Sequence, residues 1–210
     1  MNCVSSRNWE KVESILKDYK FVVLDNFFTQ EMCLLLHSRM VNEVNFKDYY
    51  ADYQALNYDL SDPVTNKIVE DLKQECPSLL GHFKSAWSFV YNNEALGTGA
   101  HADPSNYNIN VWVTPNSCVK DKYLNGLKIY DVDVPPEATR EQYNGNENNY
   151  LMNLIYANPH IIYRIPYKFN RAIIFDATRP HETDSVSMID GKENRRVSYT
   201  MLYGSGPFTE

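Results

Sequence analysis

Two residues near the middle of the chain, His101 and Asp103, have types and a spacing that suit metal binding. Residues i and i+2 of a β-strand point to the same face, so this imidazole and this carboxylate would face the same space. One histidine and one carboxylate make two thirds of a 2-His-1-carboxylate triad, which binds non-haem Fe(II) and leaves coordination positions open. Because a surface or hydrogen-bonded pair can have the same spacing, a metal site here requires a third ligand.

The third ligand has to be another neutral histidine, and His181 has the most suitable sequence context. It follows the apolar stretch 172–175 and the polar turn 176–180, so we expect it to open a new strand at an edge of the core. Solvent would reach a side chain in that position. His82 precedes an aromatic strand and is expected to be structural, whereas His160 is an alternative ligand.

A later strand carries groups that could hold a carboxylate. Within 194–203, Arg196, Ser198 and Thr200 share one strand face, and Arg195 lies on the other. A planar guanidinium binds a carboxylate through two parallel hydrogen bonds. A buried arginine beside hydroxyls and a metal site therefore favours a dicarboxylic acid as the ligand between them.

Taken together, these pieces give a sequence that resembles the 2-oxoglutarate- and Fe(II)-dependent dioxygenases, more narrowly their prolyl-hydroxylase-like branch. The matching pieces span most of the chain and are 21–28 with the helix after it, Tyr91, 97–99, 101–103, 125–127, 175–176, 181–183 and 196–200. Their order and spacing, more than any single piece, carry the resemblance. Segments 42–77 and 133–156 lie outside it.

The resemblance implies a role for each candidate residue. His101, Asp103 and His181 would ligate Fe(II), and Arg196 would hold the distal carboxylate of 2-oxoglutarate. Further contacts with this co-substrate would come from neighbouring strands, at Tyr91, Asn110, Ser198 and Thr200. O2 would be the second co-substrate.

The chemistry implied by the resemblance is hydroxylation of a substrate, coupled to decarboxylation of 2-oxoglutarate to succinate and CO2. A peptidyl or amino-acid residue and a small metabolite are both open as substrates, because function lies in the site and not in the fold. The residues alone leave two other functions open. One is a non-catalytic metal-binding interaction module, and the other is a zinc hydrolase, although the chain lacks a His-Glu-x-x-His motif.

Two features depart from the family pattern. His181 and Arg196 lie 15 positions apart, which is long for the family. The rival pair His160 and Arg171 lies 11 positions apart, which is ordinary, but choosing it leaves the strands after His181 without a role. Lys128 is a second candidate for the distal carboxylate, although an outward-pointing lysine is the simpler interpretation.

Short β-rich runs separated by turn residues dominate from residue 83 onward, a pattern typical of a sandwich or barrel. The expected strands are 85–91, 107–114, 126–132, 160–165, 172–175, 181–186 and 196–203. Apolar residues at helical spacing predict N-terminal helices, which are 8–17, 33–40 and 63–72. The pattern therefore predicts a mainly β fold, and the resemblance implies that it is a double-stranded β-helix (jelly-roll) core with supporting N-terminal α-helices.

Size and composition limit the class of protein. With 210 residues, 43% of them hydrophobic, one domain spanning 1–210 is expected, with helical support in 1–82 and the β-core in 83–210. The formal charge of −7 argues against non-specific nucleic-acid binding, which depends on Lys and Arg. We recognise no signal peptide and no membrane-spanning run, and the four cysteines are widely spaced. A cytoplasmic protein with buried free thiols is expected.

Two polar segments have no assigned role. Segment 42–62 is expected to be a surface loop, and its tyrosines are candidates for a lid that excludes water from the site. These are Tyr49, Tyr50, Tyr53 and Tyr58. Segment 133–149 is rich in Pro, Asn, Gly and Glu and is expected to be an exposed insertion, while 150–156 fits either a short helix or a strand.

Overall fold

Two layers of antiparallel β-strands, with helices on one outer face, form the fold. The computed structural model describes residues 2–46, 48–77, 81–145, 149–158 and 161–208. The helices are α1 (Trp9–Tyr19), α2 (Gln30–Val41), α3 (Pro63–Glu75), α4 (Arg140–Asn144) and α5 (Asn149–Ala157). The strands are β1 (Phe21–Asp25), β2 (Asp48–Tyr49), β3 (Tyr53–Tyr58), β4 (Phe83–Tyr91), β5 (Glu94–Ala95), β6 (Tyr107–Trp112), β7 (Leu127–Tyr130), β8 (Ile162–Ile165), β9 (Arg171–Asp176), β10 (His181–Thr183), β11 (Val186–Ser187) and β12 (Val197–Tyr203).

The main sheet has seven strands in the order β1-β9-β6-β12-β4-β3-β2. The second layer contains the three-stranded sheet β10-β7-β8 and the pair β11-β5. Most neighbouring strands are distant in sequence, because the chain alternates between the two layers. The mainly β fold and the jelly-roll architecture predicted from the sequence are confirmed.

Each face of the main sheet packs against a different partner. On its outer face an apolar core joins the sheet to the three N-terminal helices, and it includes Val12, Leu16, Leu36, Met40, Ile68, Leu72, Val111, Ile174, Tyr199 and Met201. On its inner face a smaller cluster joins it to the second layer, through Trp112, Leu127, Ile129, Ile165, Ile173 and Phe175. Since side chains alternate along a strand, the outward residues of β12 fill the helix-covered core and its inward residues face the space between the layers.

Capping residues fix the starts of α2 and α3. The Thr29 hydroxyl accepts the Met32 N–H at 3.3 Å at the start of α2. At the start of α3, the Asp62 carboxylate accepts the Thr65 N–H at 2.9 Å, and Pro63 occupies the first turn. The N-terminal helices are therefore fixed by local sequence as well as by their apolar faces.

Several predicted elements were wrong. Segment 42–62 is not a loop throughout, because β2 and β3 extend the main sheet, and the 1–82 region thus supplies strands as well as helices. The expected strand 181–186 is divided into β10 and β11, which pair with different partners. The stretch 150–156, for which a helix and a strand were both open, belongs to helix α5, which agrees with the first of the two.

Segment 133–149 is not simply an exposed insertion. Val134, Ala138 and Tyr143 are buried in a cluster with Ala102 and Phe208. Pro, Asn and Glu are common in exposed loops, but here a few apolar residues among them bury the segment. This cluster therefore packs directly beside the candidate metal ligands, since Ala102 lies between His101 and Asp103.

The four cysteines are buried free thiols, as predicted, and burial raises the pKa of Cys33 and of Cys76 to about 12. Among the described residues, no helix combines the length and the apolar character needed to cross a membrane.

Candidate functional site

His101, Asp103 and His181 come together between the two layers. Their ligand atoms lie within 4.8 Å of one another, a grouping that could hold a metal ion. His181 and Asp103 are buried, and His101 is partly open to solvent. The three residues that the sequence singled out as a triad are therefore brought into one cluster.

Backbone hydrogen bonds fix the positions of the three residues. His101 and His181 form an antiparallel bridge, in which the two N–H groups donate to the opposite carbonyls at 3.0 and 2.8 Å. The Asp103 N–H donates to the Ala177 carbonyl at 2.8 Å, and the Ala102 N–H donates to the Tyr143 carbonyl at 2.7 Å. The His-x-Asp segment is thus held by β10 and its preceding turn on one side and by α4 on the other.

A close approach of two strands requires the glycine ahead of this segment. Gly97 has φ +86°, and a Cβ atom at this position would lie 2.3 Å from the Thr183 carbonyl oxygen. The next residue, Thr98, accepts the Thr183 N–H with its hydroxyl at 2.9 Å. These contacts of Gly97 and Thr98 with Thr183 therefore fix the loop to β10, which carries His181.

Both imidazoles are held in the same tautomer by backbone carbonyls. Nδ1 of His101 lies 2.8 Å from the Gly99 carbonyl oxygen, and Nδ1 of His181 lies 2.9 Å from that of Arg179. A carbonyl only accepts, so each Nδ1 donates its proton to it, and the Nε2 lone pair of the neutral ring is the one free for a metal ion. Histidine ligands of metals are commonly oriented by such hydrogen bonds from the other ring nitrogen.

The carboxylate of Asp103 faces one of these lone pairs. Its Oδ2 lies 3.5 Å from Nε2 of His181. Two atoms that only accept repel one another at this distance unless a proton or a metal ion lies between them. The donor set of two neutral imidazole nitrogens and one carboxylate oxygen suits Fe(II) with open coordination positions.

The pKa shifts at the cluster favour the protonation states that a metal needs. Burial and the neighbouring His181 lower the pKa of His101 from its ordinary value. Burial by itself would raise the pKa of Asp103, but interactions with His181, His101 and Asn108 hold it below its usual range. Near neutral pH the cluster therefore offers a neutral imidazole at His101 and an ionised carboxylate at Asp103.

Asn108 holds the Asp103 carboxylate in place and was missed by the sequence analysis. It is buried on β6, and its Nδ2 donates to Oδ2 of Asp103 at 2.7 Å. The contact joins two residues whose side chains meet only because β6 lies beside the His-x-Asp loop. A position five residues after a candidate ligand is not a signal by itself.

Replacing Asn108 by alanine is expected to weaken binding of Zn(II) or Ni(II) about tenfold, because an unsupported carboxylate no longer keeps its orientation. Isothermal titration calorimetry measures this effect without any turnover. The matched control is Asn110→Ala, two residues along the same strand, where the amide donates to Thr200 at 2.9 Å and not to Asp103. An equal loss in both variants would contradict a specific role for Asn108.

Arg196 lies on the inner face of the main sheet and is 1% exposed. Its Nε donates to the Asn125 carbonyl at 3.0 Å, and its guanidinium carbon lies 4.7 Å from the Tyr91 ring centroid. Its Nη1 has no hydrogen-bond partner, and no carboxylate in the described ranges pairs with it. Burial lowers the pKa of this guanidinium, but an arginine keeps its charge in proteins. A buried cation of this kind requires an anionic partner.

Other unpartnered polar atoms lie on the same inner face. Thr200 and Asn110 are bonded to each other, and Ser198 lies between Thr200 and Arg196 on β12. The buried atoms without a partner on this face include Ser198 Oγ, Asn110 Oδ1 and Trp112 Nε1. Tyr91 completes the set, because its hydroxyl lies 3.1 Å from the hydroxyl of Thr183, two residues from His181. The predicted co-substrate residues therefore form one polar row, which links the triad to Arg196.

The competing candidates are engaged elsewhere. Lys128 forms ion pairs with Glu182 and Asp184 at 2.8 and 3.1 Å. Arg195 donates to the Tyr91 carbonyl at 3.0 Å, on the opposite side of the strand from Arg196. His160, the rival ligand, lies outside the described residues.

An open cavity of about 1090 Å³ lies over His101 and Asp103. Both segments without an assigned role line it. The first contributes Tyr50 and Tyr53, and the second contributes Arg140, Tyr143, Asn144 and Gly145. Of the other lid candidates, Tyr58 is buried in the core and Tyr49 does not line the cavity.

No protein-family model and no curated protein matches the sequence. Solved structures match in fold. HygX from Streptomyces hygroscopicus, with nickel and 2-oxoglutarate bound, aligns with a TM-score of 0.62 over 93% of this chain and 87% of its own, at 7% identity. A Pseudomonas putida prolyl-4-hydroxylase gives 0.54 over 92% and 96%, at 11% identity. The α-ketoglutarate-dependent epimerase SnoN from nogalamycin biosynthesis gives 0.63 over 93% and 82%, at 10% identity. This chain therefore has the double-stranded β-helix fold of the 2-oxoglutarate- and Fe(II)-dependent oxygenases.

Proposed function

We propose that this protein is an Fe(II)- and 2-oxoglutarate-dependent oxygenase that hydroxylates its substrate. The observation that carries the proposal is the buried guanidinium of Arg196, which has a free N–H donor and no carboxylate partner among the described residues. It faces the space between the two layers, where the triad also lies. A dicarboxylic acid could bind the metal held by the triad with one end and give the Arg196 guanidinium its carboxylate partner with the other.

The residues present fit a metal and 2-oxoglutarate. His101, Asp103 and His181 would hold the metal, because their two Nε2 atoms and one carboxylate converge within 4.8 Å of one another. The unpartnered Ser198 and Asn110 oxygens and the Arg196 N–H groups line the path to the co-substrate's far end. The HygX structure, which has nickel and 2-oxoglutarate bound, supports this pairing.

When bound, Fe(II) and 2-oxoglutarate supply O2-dependent oxidation of a substrate, with succinate and CO2 as the co-products. The protein's own residues orient and enclose the reactants. Arg196 binds the distal carboxylate by charge-assisted hydrogen bonds, and Tyr91 and Trp112 cover the guanidinium, with ring centroids 4.7 and 5.6 Å from its central carbon. Asn108 and the carbonyls of Gly99 and Arg179 keep the three metal-binding side chains in position.

Hydroxylation is the most specific part of the proposal. The prolyl-4-hydroxylase among the similar structures supports it. The epimerase SnoN has the same fold but is named for a different reaction, epimerisation. The ionised Asp103 supports hydroxylation as well, because it keeps the full set of three protein ligands.

Anaerobic titration of 2-oxoglutarate into the Fe(II)-loaded protein tests the core of the proposal. We expect the weak visible charge-transfer absorption of the 2-oxoglutarate chelate to grow and saturate. Its appearance requires three protein ligands and two adjacent open positions. A folded protein that binds Zn(II) tightly but gives no such absorption would instead be a zinc hydrolase or a metal-binding interaction module, and the proposal would be wrong.

A further inference from the structure

A row of aromatic rings forms one wall of the cavity over the triad. Tyr50 stacks on Tyr53 with ring centroids 4.5 Å apart and an interplanar angle of 21°. Tyr53 contacts Phe89 at 4.7 Å, and Phe89 contacts Trp87 at 6.1 Å. All four side chains line the cavity. Tyr50, at the rim, is 47% exposed, so its outer ring face is open to an occupant.

The inward direction of these rings follows from strand register. Tyr53 lies opposite Tyr91, and Phe89 lies two residues before Tyr91 on β4. Since Tyr91 points inward to Arg196, residues at even spacing from it share that face. The aromatic wall and the co-substrate row thus belong to one continuous face of the main sheet.

Another part of the cavity lining comes from α4 and α5. It includes the polar residues Arg140, Asn144 and Asn149 beside Tyr143 and Met152. Arg140 is exposed at the first position of α4, and no carboxylate of the described ranges forms an ion pair with it. Its guanidinium therefore offers a planar set of donors to whatever occupies the cavity.

The acidic residues that line the cavity already have partners. Glu182 pairs with Lys128 at 2.8 Å. Asp48 accepts a hydrogen bond from Asn57 at 3.1 Å, and Asp103 belongs to the triad. Asp48 keeps its negative charge, because its partner is a neutral amide. Among the described residues that line the cavity, Arg140 is the cationic side chain without an ion-pair partner, and it is available to an anionic group.

We propose that the cavity takes a small molecule that carries both a ring and an anionic group, the ring against the Tyr50–Tyr53 wall and the anion at Arg140. This inference rests on the proposed function, since it names the substrate class of the same site. The cavity of about 1090 Å³ is at the upper end of the range of small-molecule pockets, roughly 300–1,000 Å³, so it accommodates such a molecule.

Three matched probes test the substrate class: indole-3-acetate, its neutral amide indole-3-acetamide, and the cation tryptamine. Dissociation constants are measured by saturation-transfer NMR on the full chain with Zn(II), with and without 2-oxoglutarate. We expect the acid to bind about fivefold more tightly than the amide, as for a solvent-accessible ion pair. Tryptamine is expected to bind most weakly, and saturating 2-oxoglutarate is not expected to displace the acid.

Two variants separate the contributions of the walls. Arg140→Gln is expected to remove the preference for acid over amide, whereas the exposed Arg164→Gln, outside the cavity, leaves it unchanged. Tyr50→Leu is expected to weaken the acid and the amide alike by about 2- to 10-fold through lost stacking. The neighbouring Tyr49→Leu, which does not line the cavity, is the matched control.

The inference would be overturned by equal binding of tryptamine and indole-3-acetate, by an acid preference that survives Arg140→Gln, or by Tyr50 and Tyr49 variants that behave alike. Displacement of the acid by 2-oxoglutarate would also overturn it, because the probe would then occupy the Arg196 position. The measurement needs neither turnover nor 2-oxoglutarate binding. If the 2-oxoglutarate titration gave no charge-transfer absorption, the proposed function would be refuted, but the binding of these probes could still be measured and interpreted.

Discussion

Replacing Arg196 by glutamine is expected to raise the dissociation constant for 2-oxoglutarate by ~10- to ~150-fold, which corresponds to ~1.5–3 kcal/mol for a hydrogen bond to a charged group. The reason is the position of the side chain. It is 1% exposed and has a donor without a protein acceptor, so the ligand's carboxylate is the partner it lacks. Calorimetric titration of the Zn(II)-loaded protein measures the change without catalysis.

The neighbouring residue supplies the control for this prediction. Arg195 donates to backbone carbonyls of β4 at 3.0 and 3.3 Å and faces away from the site. Arg195→Gln is therefore expected to leave 2-oxoglutarate affinity within about twofold and to lower thermal stability slightly. Thermal denaturation should show that the Arg196 variant is folded. Equal losses of affinity in both variants would show that the register assigned to β12 is wrong.

Replacing His181 by alanine is expected to weaken binding of Zn(II) or Fe(II) by more than about 100-fold. Loss of an outer partner of a ligand costs about 10- to 100-fold, and loss of the ligand itself costs more. The bridge between His101 and His181 is made by backbone atoms, so the variant keeps the strand pairing that positions its neighbours. Metal competition with a chromophoric chelator gives the affinity, and circular dichroism reports the fold.

Two other histidines serve as controls for His181. His82→Ala removes an exposed imidazole, and His160→Ala removes the rival candidate for the third ligand. Both variants are expected to retain metal affinity. A loss in the His160 variant together with retention in the His181 variant would reverse the assignment of the third ligand.

The parts of the fold that depend on local pattern could be predicted from the sequence. The apolar period of α1 to α3 and the alternation of β12 follow from residue type and spacing. The same alternation separates Arg196 from Arg195, which is why the two arginines were assigned to opposite faces. The triad was predictable because its members lie on or beside strands with clear boundaries.

The parts that depend on distant packing could not be predicted. The sequence of β3 resembles a polar loop, because its inward residues Tyr53 and Asn57 face a cavity and not an apolar core. Asn108 meets Asp103 through the way the loop folds over β6, and spacing alone does not reveal that contact. Segment 133–149 has a loop-like composition, but burial of Tyr143 against Phe208, with ring centroids 4.3 Å apart, anchors it.

The hydrogen bond from the Ala102 N–H to the Tyr143 carbonyl has an evolutionary consequence. It uses backbone atoms only, so α4 supports the loop 101–103 without using the side chains that face the cavity, while the buried ring of Tyr143 anchors the helix itself. The cavity-facing side chains of α4, Arg140 and Asn144, can therefore diversify without disturbing the loop 101–103 beneath them. Selection on what the cavity binds would act on this helix while the His-Asp-His cluster stays constant.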